Sequence, residues 1–268
     1  MEQNVFLDEV ELKRLMIQGR LLSEYEQPIY QKVIDGRKGL TLLDVGCNNG
    51  WKTKERFSDK NFKKIIGIDC LDQLVDQARE RFGNDVLSFY ACDVATEEFT
   101  EKLRQIMQKE NIRAFDIIHC SFMLMHTKEQ EDILKRLKTF LAPGGKLIVI
   151  EPDDSTSYMN PDPDGIYKEF LQVLSADPYA GKRNMGAELP GLFSNSGYTD
   201  IQLECSEIAS SGNEITKKEH IFDTFCAYLL EDLILLRQDA EGNSYQTEWE
   251  WVQKNLDKLR QLMTGEAS

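Results

Sequence analysis

Between residues 40 and 151 the chain alternates short apolar runs with helical patterns, and few folds accept that order. The runs are Leu40–Val45, Lys64–Asp69, Val86–Ala91, Phe115–Cys120 and Lys146–Glu151. Each has the length of a strand and is rich in β-branched or aromatic residues. Their near-continuous apolar character suits strands buried on both faces of a parallel sheet. Between them lie a short segment, Trp51–Phe57, and three amphipathic ones. Leu71–Phe82 carries Leu74, Val75 and Ala78 on one face, Phe99–Gln108 carries Leu103, Ile106 and Met107, and Lys128–Phe140 carries Ile133, Leu134 and Leu137. Pro143, Gly144 and Gly145 turn the chain into the fifth run. Strand and helix alternate four times, which predicts an α/β fold with a doubly wound, mostly parallel sheet.

The flanking segments read differently. Residues 8–36 show helical spacing, with a break expected near Gly19 and a kink or helix start at Pro28. Residues 152–190 hold five of the seven prolines. A short helix is expected over 189–196, an edge strand over Thr199–Glu207, and helices over 217–237 and 246–263. The division is an N-terminal helical cap over 1–36, a core over 37–207 with a cap insertion at 152–190, and a C-terminal helical segment over 208–268. With 268 residues there is material for one well-buried α/β core.

The net charge of −14 opposes a phosphate backbone, so no nucleic acid is expected as partner. No stretch of about 18 apolar residues occurs, and no membrane association is expected. The N-terminus lacks the basic-then-apolar pattern of a secretion signal. The six cysteines include no C-x-x-C pair and read as reduced thiols of a cytoplasmic protein.

In doubly wound sheets ligands bind beyond the carboxyl ends of the strands. The first run ends in Asp44-Val45-Gly46-Cys47-Asn48-Asn49-Gly50, a turn rich in residues that tolerate positive φ. The second ends at Asp69, whose carboxylate can accept from both hydroxyls of a ribose. The third is followed by Cys92-Asp93-Val94, where a carboxylate can accept from an exocyclic amine. The fourth ends at Cys120-Ser121-Phe122. Trp51 stands where a dinucleotide fingerprint needs its third glycine, and a ring there is incompatible with that packing. A nicotinamide oxidoreductase is therefore disfavoured.

These motifs resemble those of the class I S-adenosylmethionine-dependent methyltransferases, of the small-molecule type. Leu43–Gly50 is similar to the family's D-x-G-x-G-x-G turn with Asn48 for the middle glycine. Gly67-Ile68-Asp69 resembles the ribose motif, Cys92-Asp93-Val94 the adenine motif, Phe115–Cys120 the fourth motif, and Leu141-Ala142-Pro143-Gly144-Gly145-Lys146 the segment before strand five. The match is close over residues 38–151 and looser over 187–207.

The resemblance implies S-adenosyl-L-methionine as cofactor. Asp44, Gly46, Asn48 and Gly50 would frame its methionine part, Asp69 its ribose, and Cys70 and Leu71 would lie beside the adenine. Asp93 and Val94 would bind the adenine edge, Ser121 and Phe122 would lie near the sulfonium, and Arg20 would meet the carboxylate. The family sheet ends in a hairpin of a sixth and a seventh strand, so six or seven strands are expected: Thr199–Glu207 is the sixth, and the seventh is either missing, beyond residue 268, or supplied by an irregular segment such as Ile208–Ile215.

The expected reaction is methyl transfer to an O, N, C or S atom of a small-molecule acceptor. The alternatives are a protein methyltransferase and a non-catalytic cofactor-binding regulatory or scaffold protein. A general base is needed only when the acceptor arrives protonated, and the candidates are His126 and Glu151. Glu151, Asp153 and Asp154 read as loop carboxylates, so no metal is expected. Cys47, Cys70, Cys92 and Cys120 all fall at strand ends and would ring one cleft. The apolar face Ile221, Phe222, Phe225, Tyr228, Leu229 and Leu233 reads as core, pocket lining or the face of a homodimer.

Overall fold

A computed structural model describes residues 9–239 and 244–265. The chain divides into two compact units. The larger holds Tyr25–Asp153 and Asn184–Glu204; the smaller holds residues 1–24, Asp154–Arg183 and residues 205–268. Helix α1 (Glu9–Ile34) contributes residues to both.

In the larger unit the strands are β1 (Thr41–Val45), β2 (Lys64–Asp69), β3 (Leu87–Ala91), β4 (Phe115–Ser121) and β5 (Leu141–Ile150). All pair in parallel, in the order β3-β2-β1-β4-β5. The doubly wound sheet expected from the alternation is present, and its order reverses between β1 and β4. That reversal is where such sheets open a crevice. Helices α2 (Trp51–Phe57), α3 (Asp72–Phe82), α4 (Phe99–Lys109) and α5 (Gln130–Lys138) connect the strands.

Side chains leave each strand on alternate faces. Leu43, Val45, Ile66, Ile68 and Ile118 pack with α4 and α5 through Leu103, Ile133 and Leu137. Leu42, Ile65 and Ile117 pack on the opposite face with Val75 and Ala78 of α3, Phe57 of α2, and Tyr30 of α1. Asp44 and His119 stand opposite each other in the ladder on this second face.

Three sequence expectations need correction. First, α1 runs unbroken through Gly19 and keeps Pro28 inside it. An internal proline costs about 3 kcal/mol; the buried residues on either side, Leu21, Leu22, Tyr30 and Ile34, hold the helix together across it. Second, β5 begins at Leu141 rather than Lys146. Phe115 pairs with Leu141 and Ile117 with Lys146, so residues 142–145 loop out of the ladder around Pro143 and Gly144. Third, among the described residues the sheet has five strands, not six or seven. Thr199–Glu207 makes no strand, and Ile208–Ile215 is irregular up to the start of a helix at Ile215. The apolar positions of the expected sixth strand, Ile201 and Leu203, are exposed. Period-two alternation marks a strand only where a sheet edge pairs with it. The remaining helix of this unit, α7 (Met185–Asn195), starts earlier than expected and packs Met185 and Leu189 on the first core.

The smaller unit is helical. Helices α6 (Ile166–Leu174), α8 (Ile215–Phe225), α9 (Tyr228–Asp239) and α10 (Gln246–Thr264) enclose Phe170, Leu174, Phe222, Leu229, Leu233, Val252, Leu256 and Leu259. The single helix expected over 217–237 is two, divided at Cys226 and Ala227. Among the described residues no helix is long and apolar enough to cross a membrane.

Candidate functional site

The turn after β1 takes the left-handed conformation at every second residue: φ is 76° at Gly46, 50° at Asn48 and 76° at Gly50. Asn48 thus adopts what a glycine would adopt there, as asparagine tolerates. Its Oδ1 accepts the Asn49 N–H at 2.7 Å, and Asn49 Oδ1 accepts the Trp51 N–H at 3.2 Å. The two asparagines thereby cap the turn themselves. A Cβ on Gly46 would lie 2.9 Å from Met123 Cγ, and one on Gly50 2.7 Å from Phe89 Cζ and 2.8 Å from Ala78 Cβ. Both positions need glycine because protein packs there. Gly50 supplies the close contact between turn and sheet, and Trp51 is left half-buried as the first residue of α2.

Beyond the strand ends several predicted residues come together. Asp69 Oδ2 accepts the Asn48 N–H at 2.8 Å, and Oδ1 accepts the Leu71 N–H at 3.1 Å. These bonds aim the carboxylate, and Cys70 donates to it as well. Burial raises the Asp69 carboxyl above its ordinary value, against the opposing pull of those N–H groups. Asp93, half-buried after β3, accepts the Ala95 N–H at 2.8 Å. Partial shielding, then the charges of Asp69 and Asp93, push the Cys70 thiol up to about 12. Both acids therefore act on one place. Ser121 and Phe122 are half-buried at the end of β4, and Phe122 has φ 54°. A left-handed phenylalanine is strained, and such strain concentrates at functional sites. Lys52 Nζ lies 5.9 Å from its ring centre.

Other predicted residues lie elsewhere. Asp44 is 3% exposed, beneath the turn. Its Oδ1 accepts from His119 Nδ1 at 2.7 Å and its Oδ2 from Thr53 Oγ1 at 2.5 Å. Burial alone would raise this carboxyl; His119, Thr53 and Arg56 outweigh it and hold the carboxyl below its ordinary value. Val94 is buried in the first core. Arg20 is exposed on the part of α1 that belongs to the smaller unit.

Of the base candidates, Glu151 Oε1 accepts the N–H groups of Met123 at 3.0 Å and Leu124 at 2.7 Å. It fixes the start of the short 3-10 turn Leu124–His126 and with it the position of Met123 against Gly46. His126 ends that turn, exposed. The four strand-end cysteines do not share a surface: Cys47, Cys92 and Cys120 are buried and Cys70 alone is exposed.

The supporting residues missed in the sequence form a polar layer under the turn. Tyr30 Oη pairs with His119 Nε2 at 3.0 Å, which extends the Thr53–Asp44–His119 chain onto α1. Arg56 grips Glu26 through Nε at 2.7 Å and Nη2 at 2.5 Å and reaches Ser121 Oγ at 3.3 Å. Arg56 and Glu26 are 6% and 2% exposed. Partners 30 to 89 residues apart leave no local pattern. The available signals were charges inside otherwise buried helix faces and a histidine inside a buried strand.

A family model for the methyltransferase domain matches residues 19–203, more than half of the chain. The chain belongs to that family. The class I resemblance of its motifs holds, and S-adenosylmethionine is the cofactor that goes with it. Among curated proteins it is similar to a tRNA U34 carboxymethyltransferase of Pseudoalteromonas atlantica, 31% identical over 146 residues that cover 52% of this chain and 42% of that one. It is also similar to a ubiquinone biosynthesis O-methyltransferase of Coxiella burnetii, 29% identical over 124 residues covering 45% and 48%. The chain thus spans less than half the length of these relatives. Among solved structures, human N-acetylserotonin methyltransferase in complex with the cofactor overlays with a TM-score of 0.44 at 18% identity, over 62% of this chain and 44% of that one.

The residues fit the cofactor. The turn is left-handed at 46, 48 and 50 with Gly46 exposed, and Asp69, a ribose-type acceptor, is aimed by the Asn48 and Leu71 N–H groups beside it. Asp93 stands at the next strand end.

Proposed function

We propose that this chain transfers the methyl group of S-adenosylmethionine to an O, N, C or S atom of a small-molecule acceptor. The observation that carries this reading is the pairing of Asp69 with the Asn48 N–H, which couples the turn after β1 to the acid at the end of β2 at the sheet's switch point. When bound, the cofactor supplies a methyl group on an electrophilic sulfonium. The chain's own residues bind and orient. Gly46, Asn48 and Gly50 would shape the turn around the methionine part, Asp69 would hold the ribose, and Asp93 with Leu71 would hold the adenine. Ser121 and Phe122 would face the reacting end. Asp44, buried below, positions the turn through Thr53 and His119.

In-line displacement needs alignment and water exclusion more than proton transfer. Through Oε1 Glu151 positions the Met123 loop, and Glu151 and His126 remain the candidates should the acceptor arrive protonated. A net charge of −14 supports a small acceptor over RNA.

Calorimetry with S-adenosylhomocysteine, set against a nicotinamide dinucleotide, tests the cofactor. The homocysteine compound should bind and the dinucleotide should not. Asp69→Ala removes hydrogen bonds to a charged group, so affinity should fall about 10- to 100-fold. Transfer of labelled methyl to panels of metabolites, proteins and tRNA tests the acceptor. Label appearing in protein or tRNA and in no metabolite would overturn the small-molecule reading.

A further inference from the structure

In the helical unit Thr224, Tyr228 and Asp232 recur every fourth residue across the end of α8 and the start of α9. The spacing puts Tyr228 and Asp232 on one face of α9, with Thr224 near the end of α8 before the break at Cys226 and Ala227, a polar seam beside the apolar residues Phe222, Leu229 and Leu233. Thr224 is fully buried and Asp232 is 4% exposed. Asp177, in the loop after α6, is also 4% exposed, and its carboxyl lies against that of Asp232. Arg14 of α1 ties the seam together. Its Nη1 donates to the Thr224 carbonyl at 2.9 Å, and its guanidinium lies 4.9 Å from the Tyr228 ring centre.

Buried polar atoms are nearly always paired. Here Thr224 Oγ1 and Tyr228 Oη are buried with no hydrogen-bond partner among the described residues, while Asp177 is paired with Asp232. Asp177 Oδ1 also accepts the Tyr179 N–H at 2.8 Å. The neighbouring cations are committed elsewhere. Arg14 grips Glu11 with bonds of 2.6 and 2.7 Å, and Arg183 grips Asp154 with bonds of 2.8 and 3.2 Å. The seam therefore holds two adjoining acids whose nearest cations are paired elsewhere, and two hydroxyls, on Thr224 and Tyr228, without a partner among the described residues.

We propose that this seam binds the ammonium end of a small amine, held between Asp177 and Asp232 with the Tyr228 and Thr224 hydroxyls as further acceptors. An ammonium brings one positive charge and up to three N–H donors, which suits the two carboxylates once their shared proton has left and gives the Tyr228 and Thr224 hydroxyls a donor to accept. An anion is repelled by the acids. A neutral alcohol supplies a single donor and no charge.

The occupant displaces a proton. Burial first, then the charge of Asp177, pushes the Asp232 carboxyl up to about 9. The acid pair thus holds one proton at neutral pH. The other groups that face it are Glu11 and Arg14 from α1, Arg183, and Tyr228 on α9 itself. Entry of R–NH3+ leaves both carboxylates ionised and releases that proton to solvent. Affinity should therefore rise with pH up to the point where Asp232 titrates.

The test uses the full chain without cofactor, so its outcome is separate from that of the methyl-transfer reading. The probe is n-butylammonium chloride, with tetramethylammonium chloride, potassium chloride and n-butanol as controls. Calorimetry in two buffers of different ionisation enthalpy counts protons. Saturable binding of n-butylammonium alone, with close to one proton released at pH 7, is expected. Asp232→Asn should weaken it about tenfold or more and abolish the proton release. Tyr228→Phe and Thr224→Val, which leave the acid pair intact, should each weaken it about threefold. Absence of saturable binding, an equal response to tetramethylammonium or potassium, or unchanged affinity in Tyr228→Phe and Thr224→Val would each overturn the proposal.

Discussion

The sheet unit and the helical unit each bury a polar cluster, and the two clusters differ in how far they are satisfied. Under the turn of the sheet unit, Thr53, Asp44, His119 and Tyr30 form a continuous chain, and Glu26 and Arg56 meet through two bonds. In the helical unit Thr224 and Tyr228 each carry a buried hydroxyl without a partner among the described residues. A closed network resists rearrangement, because every alternative leaves a group unpaired in a low dielectric. An open one costs stability until something completes it. The first kind suits a scaffold beneath a cofactor turn, and the second suits a place where a ligand arrives.

The largest effect should come from breaking the closed cluster at its ion pair. Arg56→Met leaves Glu26 buried and unneutralised. Removal of one partner of a buried pair costs about 3–5 kcal/mol, which should show as a lower urea midpoint. Glu26→Leu combined with Arg56→Met removes both charges and should recover most of that loss. A double variant no more stable than Arg56→Met alone would mean that the pair's other contacts, such as Arg56 with Ser121, carry the energy.

A smaller effect is expected at Asp44. Asp44→Asn keeps the shape but loses the charge facing His119, at a cost of about 2 kcal/mol at neutral pH. The carboxyl is held below its ordinary value in the folded chain. Its contribution is therefore present above the unfolded value of about 3.9 and is lost as pH falls through the lower, folded one. The stability gap between wild type and Asp44→Asn should close on acidification below about pH 4 and stay constant above about pH 5.

What could be read in advance follows the same division. The doubly wound order was legible because strands buried on both faces, such as Lys64–Asp69, are nearly continuous apolar runs. The strand-end acids Asp69 and Asp93 were legible because the fold dictates which ends face the ligand. The role of Asp44 as a buried brace was not, because it depends on His119 and Tyr30, which lie 75 and 14 residues away in sequence. The expected sixth strand failed for a related reason. Ile201 and Leu203 alternate correctly, but alternation describes a face and says nothing of whether a neighbour pairs with it. Thr224, Tyr228 and Asp232 sat within a stretch read as an apolar face, and their polar atoms became conspicuous only once shown to be buried.

The smallest and sharpest comparison sets two tyrosines against each other. Tyr30→Phe deletes a hydroxyl that pairs with His119 Nε2 at 3.0 Å in a fully buried site. It leaves a ring nitrogen unsatisfied, and should cost about 1–2 kcal/mol. Tyr228→Phe deletes a hydroxyl that is buried without a partner. The ring and its contact with Arg14 remain. Nothing is orphaned and one desolvated group is removed, so the change should be neutral or stabilising by up to about 1 kcal/mol. Paired urea titrations of the two variants give the difference directly. Equal destabilisation by both would mean that Tyr228 Oη is satisfied in the free protein, and the contrast between a closed and an open cluster would fail at its most exposed point. A neutral Tyr228→Phe that n-butylammonium stabilises less than it does the wild type would instead tie the missing hydrogen bond to the ligand that completes it.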